Sequence, residues 1–418
     1  MNYKFNKASS RIMVGLFLLF MVGSCSSIDE DLVQQEMQQI KASTQSASGE
    51  VKLIDDTWHS YTYGVEVYVG TDMITAIQQA IDRLNPNRRE KELVVVHHSG
   101  NSGPDNGSGD VHGVYLRNFT ALDFLNNTMH VNDTDRELIV PIIARRAHNI
   151  EIRNFKITGN PRYGIWIQSS ENVIINGINI SIPEAKDVGL GIRIDNGRGT
   201  RSKNVAIDNI YVEKAKNHGV ETAGVDSLTI GKITTVDTGG CGLLLNGTKD
   251  AVVDLVHATR ANKGGGYAGF RTANDCGPNI LVKKVIASEC GRGVFSVSGS
   301  YGITIEEVDI SGSTSQGVLI ENTQDYTIKR GVIKNSGNQG LRIASRNDGT
   351  YHPSRNVMVR NLRIYDDRTP MIQTHGILET APSSHNRIVN NDLRNSGTQS
   401  SLEYHGEKTI AAGNRVDK

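Results

Sequence analysis

Three lines of sequence decide the fold: Asn217-His218-Gly219-Val220-Glu221, Gly240-Cys241-Gly242-Leu243-Leu244-Leu245-Asn246 and Gly264-Gly265-Gly266-Tyr267-Ala268-Gly269-Phe270-Arg271. Each line occupies the same place in a unit of roughly 25 residues, and a period of this length indicates a repeat architecture. The unit consists of a polar turn, an apolar alternation, a glycine-rich corner and a short strand led by glycine. Because no unit can bury its inner face alone, the units must stack on one another. The repeat therefore predicts an all-β solenoid, the parallel β-helix.

The glycine-led strands have two kinds of position, because side chains along a strand alternate between its two faces. The residue after the leading glycine is apolar in every repeat, which predicts that it points inward: Ile165, Ile192, Val220, Leu243, Phe270, Val294, Val318 and Leu341. The next residue is predicted to point outward: Trp166, Arg193, Glu221, Leu244, Arg271, Phe295, Leu319 and Arg342. Stacked strands lie about 4.8 Å apart, so Glu221 and Arg271, two turns apart, should be separated by about 10 Å.

The segment from Asp72 to Leu84 is the exception to the strand pattern, because its apolar residues recur at helical spacing. An open apolar end of a solenoid would aggregate and has to be covered. We therefore predict an N-terminal capping helix here, at the start of one β-helix catalytic domain over residues 56–418.

The N-terminus has the features of a processing signal. Residues 1–24 contain three basic residues, no acidic residue and an apolar stretch too short to span a membrane. Val22-Gly23-Ser24-Cys25 resembles a bacterial lipobox, which predicts a lipoprotein signal peptide over 1–24, lipidation of Cys25 and a flexible tether over 25–55. The acidic run after Cys25 resembles the surface-export signal of Bacteroidetes lipoproteins. We expect a lipid-anchored protein of the outer membrane or cell surface, with a periplasmic location as the alternative.

Charge and cysteine content narrow the classes of partner. The chain has 45 basic and 45 acidic residues, and removal of the signal peptide leaves 42 basic residues. A mildly acidic protein gives no support for nucleic-acid binding. The remaining cysteines, Cys241, Cys276 and Cys290, are odd in number and give no complete disulfide framework. We expect buried free thiols, with a Cys276–Cys290 pair as the alternative, and a monomeric protein.

The outward column is the expected functional site. Four glycines lie between Lys263 and Arg271, and glycine in a strand often marks the close approach of a ligand. We interpret Arg271, with Tyr267 and Lys263 beside it, as ligand-contacting; a plain wide corner is the alternative. His218 should border the same groove, although it could instead be a corner residue bonded to a neighbouring turn. Further candidates for substrate binding, any of which could simply be solvated, are Trp166, Arg193, Asn217, Glu221, Asn246 and Arg292.

The lines beginning at Asn217, Asp237 and Gly264 give a resemblance to a known group of proteins. The chain, over about residues 60–415, resembles the right-handed parallel β-helix carbohydrate-active enzymes of the pectate-lyase-like superfamily. The three lines are similar to polysaccharide lyase family 29, which implies action on chondroitin-type glycosaminoglycans such as chondroitin sulfate, dermatan sulfate or hyaluronan. The similarity carries no catalytic residue over to this chain.

A lyase reaction explains the residue types. β-Elimination removes the C5 proton of a uronic acid, so the adjacent carboxylate must be neutralised while charge develops on it. Arg271 is the predicted neutralising group, because its planar fork matches a carboxylate. His218 is the predicted base, with Tyr267 or Lys263 as the acid or base partner. Glu221 could orient His218, bind a hydroxyl or help to hold a cation.

Metal need and two rival functions stay open. Acidic residues near the groove are scattered, so no cofactor is predicted to be required, although Ca²⁺ is compatible with such a lyase. A glycoside hydrolase on the same scaffold would need two carboxylates about 5–9 Å apart. A non-catalytic surface glycan-binding lipoprotein would need aromatic platforms, for which Tyr163, Trp166 and Phe295 are the candidates.

Overall fold

The computed structural model describes residues 46–103, 111–134, 138–197, 199–346 and 349–417. The strands, numbered in chain order, form two sheets that run along the solenoid. The larger sheet contains β1 (Gly49–Ile54), β2 (Thr57–Thr62), β3 (Val65–Gly70), β4 (Glu92–Val96), β5 (Gly100–Asn101), β7 (Thr120–Asp123), β8 (Thr128–Val131), β10 (His148–Gly159), β12 (Glu171–Ser181), β14 (Ser202–Glu213), β16 (Val225–Val236), β18 (Lys249–Thr259), β20 (Ile280–Ser288), β22 (Tyr301–Ser311), β24 (Gln324–Ile328), β25 (Gly331–Lys334), β27 (Arg355–Arg360), β28 (Leu362–Tyr365), β30 (Arg387–Val389) and β32 (Ile410–Ala412). The smaller sheet contains β6 (His112–Tyr115), β9 (Ile139–Arg145), β11 (Tyr163–Gln168), β13 (Leu190–Asp195), β15 (Val220–Ala223), β17 (Leu243–Asn246), β19 (Ala268–Ala273), β21 (Arg292–Ser296), β23 (Val318–Glu321), β26 (Gln339–Ala344), β29 (His375–Glu379) and β31 (Ser400–Tyr404).

The smaller sheet contains the glycine-led strands, and its twelve strands stack in parallel, about one for each turn of the solenoid. The predicted inward residues lie opposite one another from strand to strand, as in Ile192–Val220–Leu243–Phe270. All eight are 0–1% exposed. The parallel β-helix and the inward register are therefore confirmed. The residues that are apolar in every glycine-led strand are the ones that the structure buries in the core.

An asparagine is the second or third residue of three successive strands of the larger sheet, β10, β12 and β14. Asn149, Asn172 and Asn204 have positive φ angles, a conformation that asparagine tolerates better than most residues. Their side-chain amides also bond from turn to turn, at 3.1 Å between Asn172 and Asn149 and at 3.0 Å between Asn204 and Asn172. The recurring asparagine in the sequence thus marks a sharp corner that each turn repeats.

A helix is present where the spacing predicts one. α1 (Met73–Asp82) begins at Asp72, whose carboxylate accepts a hydrogen bond from the Thr75 backbone at 2.9 Å. Its apolar side is buried and packs against β1, β2, β3, β4 and β6. A role as the cap of the solenoid stays a prediction.

The predicted tether extends too far along the chain. Its residues up to 45 lie outside the described residues, as do the signal peptide and Cys25. β1 already pairs antiparallel with β2 and parallel with β4, so residues 49–54 belong to the folded domain. This segment is polar on average, but within it Gly49 and Val51 are buried and alternate with partly exposed residues.

The three cysteines of the described residues are free and buried, as expected, and the alternative Cys276–Cys290 pair is not formed. No helix among the described residues is long and apolar enough to cross a membrane.

The inward column predicts a large difference between two truncations. Phe270→Ala should lower the free energy of unfolding by roughly 3–5 kcal/mol, because it removes a fully buried ring from a close-packed core. Val252→Ala, on the outside of the larger sheet and 38% exposed, should change it by less than about 0.5 kcal/mol. Denaturant unfolding of both variants measures the difference, and equal losses would contradict this register.

Candidate functional site

The outward residues of the smaller sheet form one continuous column, which we call the outer face: Trp166, Arg193, Glu221, Leu244, Arg271, Phe295, Leu319 and Arg342. Their order and spacing in turns are those that the sequence predicts. Three apolar members, Leu244, Phe295 and Leu319, are only 5–8% exposed, and the guanidiniums of Arg271 and Arg292 lie over the Phe295 ring. The outer face therefore contains buried apolar side chains with charged side chains beside them.

Arg271 lies at the centre of the outer face, between two aromatic rings. Its guanidinium carbon is 4.9 Å from the ring centroid of Tyr267 and 4.9 Å from that of Phe295. The Nε atom is buried and has no hydrogen-bond partner, and no carboxylate in the described ranges forms an ion pair with Arg271. The rings hold the cation in place without neutralising it, so the guanidinium can receive an anionic ligand.

His218 has a fixed tautomer. Its Nδ1 accepts a hydrogen bond from the backbone N–H of Cys241 at 2.7 Å, so in the neutral ring the proton is on Nε2. Burial, reinforced by the charges of Arg271 and Arg193, lowers the pKa of His218 from 6.5 to about 4. At neutral pH the ring is therefore an uncharged hydrogen-bond donor.

This geometry corrects the predicted role of His218 as the base. The lone pair that would take up a proton already accepts the Cys241 N–H, a contact between neighbouring turns that sequence alone does not show. The corner reading, in which the histidine bonds a neighbouring turn, is the one that the structure supports. His218 remains beside the centre of the site, because its ring meets that of Tyr267 edge-on, with centroids 5.3 Å apart.

Arg193 differs from Arg271 because carboxylates neutralise it. Its Nε donates to Asp195 at 2.7 Å and its Nη1 to Glu221 at 2.6 Å, and both acids are nearly buried. Asp195 also accepts from the Trp166 indole at 2.9 Å. Burial opposes ionisation of Asp195, but these donors hold its pKa below the usual value. This cluster has a net negative charge on the same face as Arg271.

Two more arginines flank the centre. Arg292 stacks on Phe295 at 4.7 Å from the ring centroid and donates to Gln316 at 2.9 Å. Burial lowers the pKa of Arg292; Glu321 opposes the effect, and the nearby charges of Arg271 and Arg342 add to it. Arg342 is half-buried, its Nε has no partner, and it forms no ion pair within the described part of the chain. The half of the outer face beyond Arg271 is therefore cationic.

Lys263, Asn217 and Asn246 were also predicted at the site. Lys263 is instead on an exposed corner, in an ion pair with Glu289 at 3.0 Å. This position does not support the predicted role of Lys263 as the acid or base beside Arg271. Asn217 accepts the backbone N–H of His218 at 2.9 Å and thereby supports that residue. Asn246 accepts from Asn274 at 2.7 Å in an amide ladder, which points to a structural role.

Sequence reasoning undervalued Asp195 and Phe295. Asp195, which is not among the expected site residues, lies two residues after Arg193 and therefore on the same face of the same strand. Phe295 was considered only as a sugar platform, whereas it supports both Arg271 and Arg292. The signal that could have found them is the strand period of two combined with the turn-to-turn register.

A cavity of about 560 Å³ lies elsewhere, near the end of α1, and is lined by Asp82, Arg88, Arg117 and Arg145 among others. Its arginines are already engaged: Arg88 bonds Phe119 and Thr120, Arg117 pairs with Asp82, and Arg145 bonds Gln168. The outer face is the better candidate site because it combines uncompensated cations, aromatic rings and carboxylates along an open surface.

This is a right-handed parallel β-helix protein, and its fold is like that of polysaccharide-acting enzymes. The profile of the family NosD, described as periplasmic copper-binding protein, matches residues 201–410, half of the chain, and this protein belongs to that family. No curated protein matches the sequence. In the described residues, no three side chains of His, Cys, Asp or Glu come together as the ligands of a metal ion.

Solved structures share the fold. The A-module of mannuronan C-5 epimerase AlgE4 from Azotobacter vinelandii aligns with a TM-score of 0.66 and 17% identity, over 81% of this chain and 96% of that one. The AlgE6 A-module from the same organism gives 0.57 and 16%, over 82% and 95%. The catalytic unit of the GH87 α-1,3-glucanase from Streptomyces thermodiastaticus strain HF3-3 gives 0.53 and 12%, over 82% and 66%. At these identities the likeness establishes the fold alone.

The low pKa of His218 predicts a pH-dependent stability. The unfolded imidazole takes up a proton near pH 6.5, whereas the folded one does so only near pH 4. Stability is therefore complete above about pH 6.5, falls as the pH drops towards 4, and levels off below that value. His218→Gln, which cannot titrate, should lose less stability between pH 7 and pH 4.5 than the wild type in denaturant unfolding. Identical losses would show that His218 titrates normally.

Proposed function

We propose that this protein is a polysaccharide lyase that cleaves a uronic-acid-containing polysaccharide by β-elimination on the outer face. The observation that supports the proposal is Arg271, a cation held between two rings with a buried Nε that lacks a partner. A uronate carboxylate would satisfy both the charge and the hydrogen-bond donors of this group. The resemblance of the sequence makes glycosaminoglycans the first substrates to test.

The elimination has a defined demand. Removal of the C5 proton leaves negative charge that spreads onto the adjacent carboxylate, and a fixed cation there stabilises the transition state. Arg271 supplies that cation in our proposal. His218 supplies a second donor, Nε2–H, which stays uncharged at neutral pH and so does not compete with Arg271 for the anion.

Tyr267 is our candidate for proton transfer. Its ring touches both groups of the centre, 4.9 Å from the Arg271 guanidinium carbon and 5.3 Å from the His218 ring. It is also 40% exposed, so a polymer can reach its hydroxyl. In the proposed reaction the C5 proton passes to the Tyr267 oxygen, the C4–O bond breaks as the C4=C5 double bond forms, and the proton of the Tyr267 hydroxyl passes to the leaving oxygen.

The family and the sequence also suggest where the protein works. NosD is a periplasmic family. We propose an extracytoplasmic enzyme, with Cys25 as the site of a lipid anchor in the outer membrane and an acidic polysaccharide as its partner. No cofactor is required in the proposed reaction.

Arg271 substitutions test the proposal. Arg271→Ala should lower kcat by about 10²–10³-fold, the usual effect of removing one electrostatic stabiliser. Arg271→Lys should recover only part of the rate, because a point charge lacks the bidentate fork. Lys232→Ala, which removes an exposed charge from the larger sheet, serves as the control. The measurement is the ultraviolet absorbance of new unsaturated uronate ends across glycosaminoglycan, pectate and alginate substrates. Full turnover of Arg271→Ala would refute the proposed site.

A glycoside hydrolase is the second candidate, and a specific observation supports it. Asp195 and Glu221 bind one guanidinium from the same face, beside the Trp166 indole, so two carboxylates are close together where a sugar could stack. Glu221→Gln should then abolish the release of reducing ends that carry no unsaturated uronate. If Glu221→Gln leaves that release intact, or if every product is unsaturated, hydrolysis at this pair is excluded.

A further inference from the structure

Arg342 and Arg271 are related by the geometry of the solenoid. They lie on the same column of the outer face, and the residues between them in neighbouring strands are Phe295 and Leu319. The two arginines are therefore three turns apart, or roughly 14 Å at the spacing of stacked strands. The intervening side chains are apolar and almost covered, so no charge in the column separates the two cations.

Both arginines lack a neutralising partner. The Nε of Arg342, like that of Arg271, is buried without a hydrogen bond. Glu321, on the strand next to that of Arg342, is engaged by Arg346 at 3.0 Å. A buried donor without a partner costs free energy, which a bound anion would recover.

The other direction along the column provides a contrast. Arg193 is also three turns from Arg271, through Leu244 and Glu221. Asp195 and Glu221 neutralise it, so that end does not attract an anion. Within the column, Arg271 and Arg342 are thus the two cations that the structure leaves without a carboxylate, and they are three turns apart. Arg292 lies beside the column, where it donates to Gln316.

We infer that Arg342 is a second carboxylate subsite and that the substrate is a polyuronate with a carboxylate on every sugar residue. The inference rests on the proposed function, because Arg271 marks the reacting uronate. The inference matches one sugar residue of an extended chain to each turn of the solenoid, a step of about 4.8 Å. A polymer lying along the solenoid axis would then place residue i at Arg271 and residue i+3 at Arg342.

An odd spacing separates two classes of polymer. In an alternating glycosaminoglycan, uronates occur on every second residue, so two uronate carboxylates are always an even number of residues apart. In a homopolymeric uronate every separation occurs, and a threefold chain presents residues i and i+3 to the same side. The spacing of Arg271 and Arg342 fits the second class and therefore favours a homopolymeric uronate over the glycosaminoglycans named above as first substrates to test.

Equilibrium binding tests the inference without relying on turnover. Calorimetry in a Tyr267→Phe background, which keeps the ring beside Arg271, would compare homopolymeric oligouronates of three and six residues with a hyaluronan hexasaccharide. Arg342→Gln should weaken binding of the hexauronate at least about tenfold, the effect expected for a hydrogen bond between charged groups. Binding of the triuronate, which is too short to bridge i and i+3, should change less than about twofold on the same scale.

Controls distinguish a subsite from general attraction. Lys232→Gln removes one charge from the larger sheet and should not weaken hexauronate binding. Three results would each overturn the inference. They are an equal loss of affinity in Lys232→Gln, an equal loss for the triuronate and the hexauronate in Arg342→Gln, and tighter binding of hyaluronan than of the hexauronate. If Arg342→Gln weakens binding of the hexauronate but not of the triuronate, and the wild type forms no unsaturated products, the subsite is supported and the lyase is refuted. If turnover depends on Arg271 but not on Arg342, the lyase is supported and the subsite is refuted.

Discussion

The structure depends on one constraint, the backbone hydrogen bonding that stacks each turn on the next in fixed register. In the smaller sheet this register aligns Val220, Leu243 and Phe270 on the inside and Glu221, Leu244 and Arg271 on the outside. Every outward residue therefore has a defined position along the axis, in steps of about 4.8 Å. Charged side chains on such a face are therefore separated by whole numbers of turns, and the repeat of a regular polymer can be compared with these separations.

The register also explains why chemically equal residues differ along the face. Arg193 and Arg271 have the same position in their strands, but Arg193 has Asp195 on its own strand and Glu221 on the next. Arg271 has Leu244 and Phe295 as its column neighbours, and it is supported by rings instead of carboxylates. A guanidinium that is partly buried but not paired with a carboxylate can still bind an anion. Surroundings, and not residue type, therefore distinguish Arg271 from Arg193.

The sequence predicted what depends on periodicity and missed what depends on contacts between turns. The inward column and the order of outward residues follow from an alternation of two, which a reader can count. The acceptor role of His218 depends on the backbone N–H of Cys241, 23 residues later, and the position of Lys263 depends on Glu289, 26 residues later. Side-chain conformations decide both contacts, and repeat spacing does not encode them.

Gly240 connects the fold to the proposed chemistry. A Cβ atom at this position would lie 2.4 Å from His218 Nδ1 and 2.9 Å from the His218 backbone nitrogen, closer than atoms can approach. Glycine there lets the next residue, Cys241, bring its N–H to the imidazole. That hydrogen bond fixes the tautomer, and burial with two nearby arginines keeps the ring neutral. The glycine-rich corner that identifies the repeat is therefore also what fixes the tautomer of His218 beside the outer face.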